Sequence, residues 1–244
     1  MSGRRYILRH PRSLGGHTVG WQRTAGRLVA PSGALARPVE EGDSVDAVHL
    51  IRPAAVHDLP GTYRVCLLTG DAGQDASAQF RDPDLLGHVY VGPYVVGQPD
   101  LALVVVDPEG VAGYCLAARD TRAFEAWAEA AWWPPLRGRY PVRDDASPDA
   151  EIIRLLHSPL LAPGALVRDY PAHFHIDLLA RARGHGHGRR LVEWQLESLR
   201  RQGTRGVHLD VAPANANAIA FYRHLGFTEV EQREDAILMG MRLT

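Results

Sequence analysis

Residues 181–190 read RARGHGHGRR, with glycines at 184, 186 and 188 and histidines threaded between them. Three readings suit such a stretch: a metal site, a phosphate cradle, or a plain flexible loop. His185 and His187 lie two apart, and His173 and His175 repeat that spacing upstream. A loop running into a helix turns alternate side chains apart, however, and no cysteine stands near to complete a ligand set, so no metal is expected. The dinucleotide fingerprint G-x-G-x-x-G fails because its third glycine would fall on Arg189. A Gly-Lys phosphate loop is excluded outright. All 27 basic residues are arginine, which also excludes a Schiff-base lysine.

What fits is R-x-x-G-x-G, supplied by Arg183, Gly186 and Gly188 between a strand and a helix, with Gly184 and His185 in the two places after the arginine. Glycines let the backbone turn and approach a ligand with no Cβ in the way. The first turn of the helix that follows offers N–H groups without partners and the positive end of a dipole, which together suit a pyrophosphate. Arg183, Arg189 and Arg190 add positive charge. His185 and His187 are expected to contribute main-chain N–H groups, with their imidazoles in solvent.

The flanking sequence must position that loop. HFHIDLLA (173–180) reads as a strand before it, and GRRLVEWQLESLRRQG (188–203) as a helix after it, with Val192, Leu196 and Leu199 on one stripe and Gly203 at the end. VHLDV (207–211), NANAIAFYRHLG (215–226), FTEVEQ and AILMGMRL continue as strand, helix, strand, strand. Upstream, VHLIRP (48–53) has a strand's composition before a helical 54–68. Residues 82–97 suggest one helical turn plus irregular chain. LALVVVD and VAGYCLAAR, joined by PEG, suggest an antiparallel hairpin. TRAFEAWAEAAWW (121–133) reads as a helix stopped by Pro134 and Pro135, with 134–150 a long loop and a short helix at EIIRLLHSP. This order implies a mixed α/β sheet with helices on both faces.

Composition adds bounds. The chain has 244 residues, a net charge of −1, and 45% hydrophobic residues, which suits one domain with a proper core and gives no overall case for nucleic acid. Residues 1–46 stand apart: the first 39 hold seven arginines and no acid. They read as a basic, disordered arm before a folded domain over 48–244. The arm lacks an apolar core like a signal peptide's, and no apolar run approaches the roughly 18 residues of a membrane span. A cytoplasmic protein without membrane partners is expected. Cys66 and Cys115, far apart, read as buried, unreactive thiols.

About 30 residues past the glycine loop comes N-x-x-A-x-x-x-Y-x-x-x-G-F: Asn215, Ala218, Tyr222, Gly226 and Phe227. With both motifs present in this order, the chain resembles the GNAT family of acetyl-CoA-dependent N-acyltransferases over roughly 48–244. The run from GYCLAARDTRAFEAWAEAAWWPPLRGRYP to HIDL is further similar to bacterial acetyltransferases related to the C-terminal, acetyltransferase-like domain of animal O-GlcNAcase. That animal domain has lost the glycine loop; this sequence keeps it.

The resemblance implies a GNAT fold with a mixed, mostly antiparallel sheet, and acetyl-CoA as co-substrate. It implies a phosphate cradle from Arg183, Gly184, His185, Gly186, His187, Gly188 and Arg189, and pantetheine pairing along the backbone of Leu178 and Leu179. Asn215 contacts the coenzyme or caps its own helix, and Tyr222 protonates the departing thiolate. An ammonium acceptor must lose a proton before it attacks. His173, His175 and Asp177 share one face of an unbroken strand. Asp177 ranks first as base, being nearest the expected thioester, then His175, with Asp210 on the neighbouring strand a third candidate. Trp132, Trp133 and Tyr140, with Asp210, fall where this family walls its acceptor site. The implied reaction is acetyl transfer to a primary amine by direct attack in a ternary complex, since no cysteine lies in either motif. The alternative is a coenzyme A-binding module without catalysis, a sensor or interaction domain. Neither the amine nor the oligomeric state is legible.

Overall fold

A computed structural model of the chain describes residues 49–243; the arm assigned to 1–46 lies outside the described residues. The chain opens with β1 (Leu50–Pro53), a 3-10 turn, and α1 (Leu59–Thr69). Asp58 ties them together. It is buried, accepts both guanidinium nitrogens of Arg52 at 2.6 and 2.7 Å, and accepts the Ala55 N–H at 2.8 Å. The Arg52 hydrogen bond holds its carboxyl below the usual range against the opposing effect of burial.

Residues 82–97, expected to be largely irregular, form two short helices, α2 (Leu85–Tyr90) and α3 (Gly92–Gly97). Their glycines disguise them in sequence and are needed for packing. A Cβ on Gly87 would stand 2.2 Å from the ring of Tyr63 on α1. Gly87→Ala is therefore expected to cost about 1–3 kcal/mol through overpacking. The check is chemical denaturation of the full chain; an unchanged midpoint would mean the two helices separate at no cost.

The hairpin of β2 (Ala102–Asp107) and β3 (Gly110–Ala118) is antiparallel as expected. α4 (Thr121–Trp127) is capped by Asp120, which accepts from Ala123 N. Pro134 and Pro135 do not stop the helical path as expected. The chain widens into a π-helical turn over Ala128–Trp132 and restarts as α5 (Trp133–Arg139), with the prolines in its first turn. There a missing N–H costs nothing. The expected long loop thus shrinks to 140–147 before α6 (Pro148–His157), capped by Ser147. α7 (Gly164–Asp169) is a further helix that the sequence pattern does not signal. Then follow β4 (Ala172–Leu178), α8 (His187–Arg201), β5 (Gly206–Val211), α9 (Ala216–His224), β6 (Thr228–Gln232) and β7 (Ile237–Arg242).

The seven strands lie in the order β1-β2-β3-β4-β5-β7-β6, antiparallel throughout except at β4–β5. Each face buries its own core. Ala102, Val104, Tyr114 and Leu116 pack under α1–α6 on one side. Leu103, Val105, Cys115 and Phe174 pack under α8 and α9 on the other, as period-2 alternation demands. The seam matters most. β4 and β5 share only two register pairs, Ala172↔Val207 and His173↔His208, although β4 continues to Leu178 and β5 to Val211. Past those pairs the two strands diverge.

Among the described residues, no helix is long and apolar enough to cross a membrane, and no group of three or more His, Cys, Asp or Glu is arranged to hold a metal.

Candidate active site

The diverging strands open a cleft of about 710 Å³. Phe174, His175, Ile176 and Asp177 line it from β4, Leu209 and Asp210 from β5, and Asn215, Ala218 and Tyr222 from the start and body of α9. The end of α1 with the 70–73 turn closes one side; Glu231 on β6, with Arg233, Glu234 and Asp235 between β6 and β7, closes another. Because the sheet is parted here, side chains from both of its faces reach one space.

β4 pairs with β3 without a bulge, Asp177 opposite Tyr114, His175 opposite Leu116 and His173 opposite Ala118. The same-face inference for His173, His175 and Asp177 therefore holds. Asp177 Oδ2 accepts the Tyr114 hydroxyl at 2.6 Å; burial and the neighbouring carboxylate push Tyr114 well up, so the proton stays on the phenol. The Tyr94 hydroxyl lies 2.8 Å from His173 Nε2 and 2.9 Å from His175 Nε2. His173 is half-buried, and loss of hydration, with the neighbouring His208 and His175, drives it well below the usual histidine range and keeps it neutral. Tyr94, Tyr114 and Thr121 carry no motif; only long-range packing brings them to these partners.

Tyr222 comes from the opposite face, its ring packed against Phe174 and Phe227. Burial raises its hydroxyl far above the ordinary tyrosine value, so it stays protonated and able to donate. Among the described residues its hydroxyl forms no hydrogen bond. Asn215 caps α9, its Oδ1 accepting from Ala218 N at 3.1 Å, while also lining the cleft.

Backbone direction along β4 follows from one bond. Leu179 N donates to Ala112 O at 2.8 Å, so alternation in an antiparallel pair turns Leu178 and Ile176 toward the gap and Leu179 toward β3. Leu179 O accepts from Ala182 N. Its backbone is thus committed inside the protein, and Leu178 with Ile176 forms the edge in place of the expected Leu178 and Leu179.

At the glycine loop, Gly184 and Gly186 take left-handed conformations, with φ of 82° and 73°, and Gly186 is the N-cap residue of α8. A Cβ on Gly186 would meet nothing within 4 Å, leaving open space where a ligand can approach. His185 and Arg189 are exposed, the latter paired with Glu193. Two residues depart from expectation. His187 is buried, its ring 4.7 Å from that of His49 and 5.8 Å from that of His185, and Arg190 donates to its Nδ1. Burial lowers it to about 4, so at neutral pH the ring is uncharged beside a positive helix end. Arg183 turns inward: Nε donates to Leu178 O at 2.7 Å and Nη2 to Gly73 O at 3.1 Å. It clamps the end of β4 to the 70–73 turn, because a five-donor fork settles where carbonyls converge.

Trp132, Trp133 and Tyr140 do not line the cleft. Trp133 and Tyr140 are buried in the core under α1–α6, and Trp132 packs against it. Trp132 Nε1 donates to His88 O and the Tyr140 hydroxyl to Asp82. Aromatic bulk and satisfied polar tips place them in packing. Asp210 does line the cleft. Both cysteines are free and buried as expected, though Cys66 also borders the cleft; burial pushes its thiol up and keeps it protonated.

Comparison with known proteins agrees with this geometry. The family model described as Acetyltransferase (GNAT) family matches residues 161–227. The crystal structure of SsHAT is 38% identical with a TM-score of 0.75, over 80% of this chain and 98% of that one. Protein O-GlcNAcase of Rattus norvegicus is 27% identical over 204 residues, 80% of this chain but 22% of the relative, so the chain spans about a fifth of that protein's length. [Ribosomal protein bS18]-alanine N-acetyltransferase of Escherichia coli (strain K12) is 36% identical over 69 residues, 24% of this chain and 47% of the relative. With the parted β4–β5 seam, the glycine-capped α8 and a near full-length structural match, the chain belongs to the GNAT acetyltransferase family.

Proposed function

We propose that the protein transfers the acetyl group of acetyl-CoA to a primary amine by direct attack in a ternary complex. The single observation that carries this reading is the parted β4–β5 seam, which brings Tyr222 from one face of the sheet and His175 and Asp177 from the other into one cleft. The residues present fit the donor. The first turn of α8 behind Gly184, Gly186 and Gly188 offers unpaired N–H groups for the pyrophosphate, supported by Arg189 and by main-chain groups of His185 and His187. The main chain of Ile176 and the N–H of Leu178, whose carbonyl is taken by Arg183, offer an extended edge for the pantetheine amides, and a main-chain N–H there stabilises the developing oxyanion. Acetyl-CoA supplies the activated thioester.

This chain's side chains then move two protons. A base on the β4 face, His175 or Asp177 with Asp210 across the gap, takes one from the ammonium form of the acceptor. Tyr222 gives one to the departing sulfur. The buried, protonated Cys66 is a poor nucleophile, which favours direct transfer over an acyl-enzyme.

The test is calorimetric titration of the full chain with acetyl-CoA, coenzyme A and ATP, followed by a thiol-release screen over amines. Micromolar acetyl-CoA binding with amine-dependent thiol release is the expected result. Tight binding with no turnover for any amine would identify a non-catalytic coenzyme A module instead, and no binding would refute the donor assignment.

A further inference from the structure

The polar chain on the β4 face has a direction, and a main-chain carbonyl sets it. Thr121 Oγ1 lies 2.7 Å from Pro171 O. Two oxygens that close need a proton between them, and a carbonyl brings none, so Thr121 is the donor. Its hydroxyl proton is thereby spent. Thr121 Oγ1, 2.8 Å from His173 Nδ1, must accept, which puts the single proton of neutral His173 on Nδ1. His173 Nε2 is then an acceptor and takes the Tyr94 hydroxyl proton at 2.8 Å. Tyr94 Oη in turn accepts from His175 Nε2 at 2.9 Å. Every link has one polarity.

Resting on the transferase reading above, we propose that Thr121, His173 and Tyr94 are positioning residues that fix His175 as its Nε2–H tautomer, making Nδ1 its basic nitrogen and His175 the base that deprotonates the acceptor. The ammonium N–H bond breaks and its proton passes to His175 Nδ1. The amine lone pair forms the new N–C bond, the C–S bond breaks, the sulfur takes the Tyr222 proton, and the second proton leaving the nitrogen restores the Tyr222 hydroxyl, so the products are the neutral amide, the free thiol and protonated His175. When His175 becomes imidazolium it keeps its Nε2 proton on Tyr94, so the chain supports both states with no rearrangement. Asp177, by contrast, has one oxygen engaged by the Tyr114 hydroxyl at 2.6 Å.

Other titratable groups bear on His175. His173 and Asp177 flank it on its own strand, with Tyr114 on β3 and Tyr94 on α3. Cys66, Tyr90, Asp210 and Arg233 share its cleft.

The test reads the tautomer directly. Full-length protein carrying 15N-labelled histidine is examined by NMR at neutral pH, with His175→Gln and His173→Gln assigning the resonances. The expected result is a proton on Nε2 of His175 and on Nδ1 of His173. Thr121→Val removes only the anchoring hydroxyl, three hydrogen bonds from His175, and is expected to relax His175 to a tautomer mixture. Tyr94→Phe keeps the ring on Phe124; its kcat is expected to fall by about 10-fold or more with the KM for acetyl-CoA little changed, against the roughly 10²–10⁴-fold loss of a deleted base in His175→Gln. The acid limb of kcat/KM should move to lower pH in Tyr94→Phe, because the imidazolium loses its acceptor.

A His175 proton on Nδ1 in the unmodified protein overturns the proposal. So does an acid limb that survives in His175→Gln and disappears in Asp177→Asn. The NMR arm needs no donor, so expected tautomers in a protein that binds no acetyl-CoA would support the chain's polarity while refuting the transferase reading.

Discussion

A Gly186→Glu chain is expected to lose acetyl-CoA affinity on the order of 100-fold or more. The new carboxylate would sit at the N-cap of α8, where the proposed pyrophosphate approaches. Two negative charges about 4 Å apart at a partly screened surface repel by roughly 4 kcal/mol, more than the roughly 2.7 kcal/mol that 100-fold requires. A second cost must be separated from this one. Gly186 has φ of 73°, and any side chain there pays about 1–2 kcal/mol for the left-handed conformation. Gly186→Ala carries that strain without the charge, and its Cβ meets no neighbour within 4 Å. The affinity difference between the two variants, measured by calorimetry, isolates the electrostatic part. Equal affinities for both would mean the anion binds elsewhere.

Tyr222→Phe is expected to lower kcat by about 10²–10³-fold, within the range for loss of a general acid, with the KM for acetyl-CoA nearly constant. The ring's packing between Phe174 and Phe227 survives the change, so the melting temperature should barely move. Because burial raises this hydroxyl so far, it remains a donor throughout the usable pH range. No alkaline fall in kcat below pH ~10, the ordinary tyrosine value, should therefore trace to Tyr222. Parallel kcat and stability losses would instead mark the tyrosine as a packing residue.

What could be read beforehand, and what could not, divides along a physical line. The glycine loop, α8 and the β2–β3 hairpin announce themselves because their requirements are local: left-handed glycines, a buried stripe, an alternating run. The shared face of His173, His175 and Asp177 was legible for the same reason, since an unbroken strand alternates. The aromatic residues around Pro134 were not. A proline pair reads as a stop, yet here it opens α5, and whether Trp133 and Tyr140 face ligand or core depends on helices 40–60 residues away. Tyr94, Tyr114 and Thr121 are equally silent in sequence, because each matters only through a partner contributed by β4 or its approach. Arg183 shows the limit of motif reading: the spacing located it, but its guanidinium went to carbonyls.

The two-pair contact between β4 and β5 also has a mechanical meaning. The sheet amounts to a leaf of four strands and a leaf of three, hinged on a spine two residues long. Leaves so joined resist being pulled apart mainly through the helices that lap over both. A donor whose amides bond along β4 would act as a rung in that ladder, so its binding would stiffen the molecule as well as supply the acetyl group, and heat resistance would rise with donor concentration by simple mass action.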